Sequence, residues 1–279
     1  MSMVRDSLRY GHAVGRVRVR ETRLLSRSHF ERLLDAATFS DQLRILSDTP
    51  YGGHFDGVSS IEGLQAAMDR VRLQLHDDLL GRSGLPEPIT RFFALLDGYQ
   101  EARNGTAENP AEWAADIALY KEIVATAEAS GCASLRELAA LLADVANLKV
   151  LVRSKARGEA GSWDPEMFVP AGAITQERLV ALHRLPAEEV AAQLAALDLL
   201  KGIDPQQILD PARFDVVADV VVASRMRESS ALVAAGAGPV ITYVVLQRIE
   251  MIVVRTLLAG VMAGVSRDLL RTRFREIFR

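Results

Sequence analysis

Arginine is the residue whose placement carries the most chemistry in this chain. A guanidinium presents five donors in a fixed fork that grips carboxylates or helix-end carbonyls, so an arginine inside a helix can fix how helices meet. Three stretches have this form: Arg16-Val-Arg-Val-Arg-Glu-Thr-Arg-Leu-Leu, Asp144-Val-Ala-Asn147-Leu-Lys-Val-Leu-Val-Arg153, and Glu250-Met-Ile-Val-Val-Arg255. Arg153 and Arg255 each follow an apolar run, which predicts half-buried groups with a structural role. Asp144, Asn147 and Glu250, on the preceding turns, are the natural members of that polar network. Arg16, Arg20, Arg23 and Arg27 differ, since they fall at i, i+4, i+7 and i+11 and form a stripe. Such a stripe either docks an acidic or anionic surface or is a solvated face paired with Glu21 and Glu31. Arg271, Arg273 and Arg275 add a second basic patch near the end. Spaced copies of one helix type point to a scaffold, and a scaffold binds rather than catalyses.

The remaining reactive side chains support no catalytic site. His12, His29, His54, His76 and His183 are scattered, with no pair at zinc-ligand spacing, so no metal is expected. His76-Asp77-Asp78 reads as a solvated helix end. Cys132 follows Gly131 just before a helix and has no histidine partner. Glu188 and Glu189 sit in a first helical turn after Pro186, where they favour the helix dipole. Gly11-His-Ala-Val-Gly15 lacks the Lys-Ser/Thr of a phosphate loop, so no nucleotide cofactor is expected. Nucleic acid is disfavoured because Tyr10 is the only aromatic residue among the N-terminal arginines before Phe30.

The elements that would position these groups read as helices throughout. Val14, Val17, Leu24 and Leu25 recur at helical spacing, and Val216, Val217, Val220 and Val221 follow a helix face despite their β-branched side chains. Capping-box spacing marks starts at Ser59 to Glu62 and Ser134 to Glu137, and Asn109-Pro110 and Asp210-Pro211 mark two more. Glycine and proline clusters, among them Gly158 to Gly161, divide roughly a dozen helices into three groups.

The 279 residues, 49% of them hydrophobic, suffice for a substantial core. A single cysteine rules out an intrachain disulfide, and the polar N-terminus lacks the apolar stretch of a signal peptide, so a cytoplasmic location is expected. Val240 to Met262 is long and apolar enough to resemble a membrane span by length, but Arg248, Glu250 and Arg255 lie near its centre. Each costs about 2.5–3.5 kcal/mol there, which predicts a buried core helix instead. The net charge of −3 is unevenly spread: residues 1–32 carry +5, the tail from Arg267 carries +3, and the rest carries −11. That polarity suits different partners on different faces.

Tyr10, Arg16-Val-Arg18, Leu24-Leu25 and Asp48-Thr-Pro-Tyr-Gly52, together with Asp144, Asn147, Arg153 and Gly158 and with Glu250, Arg255 and Gly260, resemble the family of C subunits of V-type (V/A-type) rotary ATPases and ATP synthases. The eukaryotic counterpart is the d subunit of the vacuolar ATPase. The resemblance implies an all-α, funnel-like array of three similar helical subdomains. These are expected at 1–80, 81–172 and 173–279, with a degenerate copy near Phe92 to Asn104 and with the C-terminal helix against the N-terminal one. It further implies a non-catalytic, peripheral central-stalk adaptor on the cytoplasmic face of the membrane. Its partners would be the membrane rotor ring and the D and F subunits of the central shaft, with no small-molecule substrate. The alternatives are a soluble helical enzyme or regulator with an unrecognised site, and a basic protein that binds membranes peripherally.

Overall fold

The computed structural model describes residues 2–76, 79, 81, 85–103, 110–158, 168–231 and 236–274. Asp77, Asp78, Asn104, Asn109, Glu159 to Gly161 and Arg275 lie outside them, as do the side chains of Arg5, Arg9, His76 and Arg273. The described residues are all-α, with helices α1 (Ser2–Glu21), α2 (Arg27–Asp35), α3 (Phe39–Leu46), α4 (Ile61–His76), α5 (Glu87–Arg103), α6 (Pro110–Ala129) and α7 (Ala133–Ala156). There follow α8 (Gln176–Arg184), α9 (Ala187–Ala195), α10 (Pro205–Ile208), α11 (Pro211–Ala231), α12 (Gly238–Met262) and α13 (Arg267–Arg273). The valine-rich segment from Val216 is helical as its spacing predicts, within α11.

The helix starts follow local capping chemistry. The hydroxyls of Thr38, Thr175 and Ser266 accept the amides of Asp41, Arg178 and Leu269. Asp210 Oδ1 accepts from Ala212 and Arg213, so the expected Asp-Pro start of α11 is present. Two expected starts shift. Ser60, not Ser59, accepts the Gly63 amide at the head of α4. At α7 the cap residue is Cys132, so Ser134 lies inside the helix and cannot cap it. Ser130 sets that boundary: its hydroxyl accepts the Cys132 amide while the chain turns at Gly131.

The chain divides into two compact units, residues 1–85 with 226–279, and residues 86–225. In the first unit α12 is the central element and packs against α1, α2, α3 and α4, while α13 packs on α2. Its apolar length from Val240 to Leu246 is buried, along with Val253, Val254, Leu257 and Leu258. Tyr10, Ala13 and Val17 bury the inner face of α1, and Leu33, Leu46 and Leu64 contribute from α2, α3 and α4. Gln42 is wholly buried and its amide donates to Leu33 O at 3.0 Å and Leu257 O at 3.2 Å, which ties α3 to α2 and α12. Among the described residues no helix is long and apolar enough to cross a membrane.

In the second unit α7 holds the corresponding place. It packs on α6 and α8, α6 packs on α5, and α8 to α10 follow one another in contact. Leu138, Val145, Leu148, Leu151 and Val152 give α7 a buried face, and Phe92 and Phe93 of α5, Ile123 of α6, Leu179 and Leu182 of α8 and Phe214 of α11 are also buried in this unit.

Candidate functional site

The buried polar residues of α7 and α12 fasten irregular chain to a helix. Asp144 is buried on α7. Its Oδ2 accepts the Ala173 amide and its Oδ1 the Ile174 amide, both at 2.9 Å. The loop comes so close that a Cβ on Gly172 would stand 1.9 Å from Asp144 Oδ1, so only glycine fits. Burial raises the Asp144 pKa above the ordinary carboxylate value, against the pull of the two amides. One turn on, Asn147 accepts the Val169 amide at 2.9 Å and donates to Val169 O at 3.0 Å. The two side chains together fix residues 169–174 to α7.

Glu250 does the same on α12. Its Oε2 accepts the Leu25 amide at 2.5 Å and its Oε1 accepts the Tyr51 hydroxyl at 2.9 Å. Burial raises the Glu250 pKa to about 7 even though Leu25, Tyr51 and Arg227 all favour the ionised form. Burial and the Glu250 charge also drive Tyr51 well above its ordinary value. Tyr51 is delivered by the Asp48 to Gly52 turn. There Thr49 donates its hydroxyl to Leu46 O at 2.6 Å and accepts the Tyr51 amide at 3.2 Å. A Cβ on Gly52 would meet Ser47 O at 2.1 Å, which explains the glycine that closes this motif.

The cations on these helices reach across to neighbouring helices. Arg153 donates to Asp215 of α11 at 3.3 Å, and Lys149 approaches the same carboxylate at 3.2 Å. Asp144 lies nine residues upstream of Arg153, about 13.5 Å of helical rise, which puts it beyond the arginine's local reach. Burial works to raise Asp215, but Lys149 and Arg153 outweigh it and hold its carboxyl below the usual range. Asp219, one turn along α11, is raised to about 6 by burial, with Lys149 opposing and Asp215 adding to the shift. Arg255 donates to Gln65 of α4 at 3.3 Å, and burial lowers its pKa against the influence of Asp69. Burial, reinforced by Arg72, lowers Arg248 to about 9, so it remains a cation at neutral pH.

The N-terminal arginines lie on three segments, because α1 ends at Glu21 and α2 begins at Arg27. Arg20 turns toward the core and hydrogen-bonds Tyr243, whose pKa is raised to about 12 chiefly by burial. Arg18 pairs with Glu21 at 2.8 Å, Arg27 with Glu31 at 2.8 Å, and Arg271 with Asp35. Arg23 is exposed and Arg16 half-buried beside His12 and Val19 on the outer side of α1, and Val19 is 60% exposed. Arg275 and the side chain of Arg273 lie outside the described residues.

Sequence reasoning missed Lys149, Asp215 and Asp219, and it did not join Tyr51 to Glu250. A signal was available for the first: Lys149 follows Asp144 by five residues just as Arg255 follows Glu250. Asp215 and Asp219 stand at i and i+4 among valines, which called for a cation opposite them. Among the described residues no group of three or more His, Cys, Asp or Glu could hold a metal ion. No curated protein matches the chain. The family model described as ATP synthase (C/AC39) subunit matches residues 13–80 and 77–273.

Proposed function

Since the chain belongs to the C/AC39 family of V-type ATPase subunits, whose members are non-catalytic accessory proteins, we propose that it is the central-stalk adaptor of a rotary ATPase or ATP synthase. The single observation that carries this reading is a family match extending over nearly all of the chain. As the adaptor, it links the membrane rotor ring to the shaft of D and F subunits and passes torque between them during proton or sodium transport. It does so as a peripheral component on the cytoplasmic face.

Two features support a mechanical role. Torque is transmitted without loss only through elements that do not yield, and close-packed interiors have low compressibility. In each unit a long core helix grips irregular chain through a buried carboxylate, Asp144 in one and Glu250 in the other. The units also differ in charge. The first carries twenty arginines against fifteen carboxylates, and the second thirteen lysines and arginines against twenty-one carboxylates. A basic unit and an acidic unit suit two partners of opposite charge. The outer side of α1, with Arg16 and Val19, together with Arg23 in the turn that follows it, is the docking surface in this reading.

The experiment is a reconstitution with purified shaft proteins and with membranes that hold the rotor ring. The chain is expected to co-purify with both, and alone to hydrolyse no ATP. Consistent failure of the shaft proteins to bind would overturn the reading.

A further inference from the structure

Glu250 is the point at which two non-helical segments of the first unit are fastened to α12. One is the α1–α2 turn, through the Leu25 amide, and the other is the loop between α3 and α4, through the Tyr51 hydroxyl. Leu25, Tyr51 and Glu250 are all buried. Arg20 and Glu21 of α1 face the neighbouring Tyr243, and Arg227, near the end of α11, acts on Glu250 itself. In the loop that delivers Tyr51, Asp48 and Asp56 are exposed and His54 is half-buried. The charges of α2 and α3 are occupied or solvated: Arg27 pairs with Glu31, Arg44 with Asp41 and Asp35 with Arg271, and Arg32 is exposed. On α4, Glu62 and Arg70 are exposed, while Asp69 and Arg72 act on Arg255 and Arg248.

Two opposing forces meet on this carboxylate. Donors aimed at both oxygens favour the charged form, whereas removal from water favours the neutral one. We propose that Glu250 is a proton-operated latch, firm when neutral and loosened when ionised, that sets how tightly the α1–α2 turn and the Tyr51 loop are held to α12. The neutral acid keeps both fastenings. One oxygen still accepts the Leu25 amide, and the other carries the proton and donates it to the Tyr51 hydroxyl oxygen. The ionised form retains both bonds but bears a buried charge, which regains hydration only when the segments open.

The direction follows from linkage. Opening returns Glu250 to water and to its ordinary value of 4.5, against about 7 when closed. A raised value in the closed state means that closure is fully favoured below about 4.5 and weakens as pH rises through 7. Each pKa unit is tenfold in the opening equilibrium, so opening increases by roughly two orders of magnitude between pH 4.5 and pH 8. The latch is a property of the first unit alone, and its test does not depend on the adaptor reading.

The test is amide hydrogen exchange at Leu25 in the intact chain from pH 5 to 8, corrected for the intrinsic rate, beside the Glu250→Gln variant. Glutamine can accept from Leu25 and donate to Tyr51 but cannot ionise. The native chain is expected to lose protection by up to about 100-fold, in keeping with the tenfold change per unit, and the variant to show no such trend. A pH-independent Leu25 amide in the native chain, or an equal trend in the variant, would overturn the latch. Should Glu250→Gln fail to fold, carbon NMR of the Glu250 carboxyl decides. Titration near 7, moved upward in Tyr51→Phe, supports the latch, and titration at the ordinary carboxylate value overturns it.

Discussion

Asn147 holds Val169 by both of its backbone groups, accepting from N at 2.9 Å and donating to O at 3.0 Å. Its side chain thus completes a two-bond bridge that in a strand pair would come from a neighbouring backbone. Asn147→Ala would leave a buried donor and acceptor unsatisfied, each at a cost of about 1–3 kcal/mol, so urea denaturation should show a loss of at least about 2 kcal/mol. Asn147→Asp should be no better, because a carboxylate cannot donate to Val169 O. A change below about 0.5 kcal/mol would mean that water replaces the bridge.

Gly172 and Asp144 are fitted to each other. Gly172→Ala places a methyl where Asp144 Oδ1 now stands, and overpacking of this kind costs about 1–3 kcal/mol. Exchange of the Ala173 and Ile174 amides should quicken in the variant well before the rest of α7 is affected. Equal loss of protection along the whole helix would contradict a local role.

The carboxylates of α11 should respond to pH in opposite senses. Asp215 is held below its ordinary value, so its contribution is present above that value and disappears as pH falls through the lowered one. Asp219 is raised to about 6, so its contribution is greatest below its ordinary value and declines as pH rises through 6. Asp219→Asn is therefore expected to raise the melting temperature at pH 7.5, by about 2–4 °C per kcal/mol gained, and to have little effect at pH 4. Scanning calorimetry at the two pH values distinguishes this from a uniform change.

The N-terminal arginines should separate into two classes. Arg16→Glu with Arg23→Glu reverses charge on the outer side, and binding of the shaft proteins should weaken at least tenfold, about 1.4 kcal/mol, in a salt-dependent manner. Melting should stay within about 0.5 kcal/mol of the native chain, as for surface substitutions. Arg20→Ala should do the reverse, since its guanidinium is bonded to Tyr243 in the core. Calorimetry beside a binding titration measures both effects.

Much of this arrangement is legible along the chain because it depends on local chemistry. Helical spacing placed Val17 inward, and proline with a capping aspartate placed the start of α11. The buried carboxylates could be singled out on α7 and α12, since a charge within an apolar run must be satisfied. What satisfies them could not be read there. The partners of Glu250 lie 225 and 199 residues away, and Arg153 meets Asp215 at a separation of 62. The i, i+4 stripe likewise assumed one continuous helix from Arg16 to Arg27, whereas the chain turns after Glu21.

By itself the sequence determined the all-α class, the positions of most helices and the residues that had to be held inside. These follow from backbone propensity and burial, which act over a few residues. Tertiary structure alone decided that Tyr51 and Leu25 meet on Glu250, that two amides converge on Asp144, and that Arg20 faces inward while Arg23 faces solvent. Such pairings depend on which distant segments pack together, and that is settled by the fit of whole faces rather than by any local pattern.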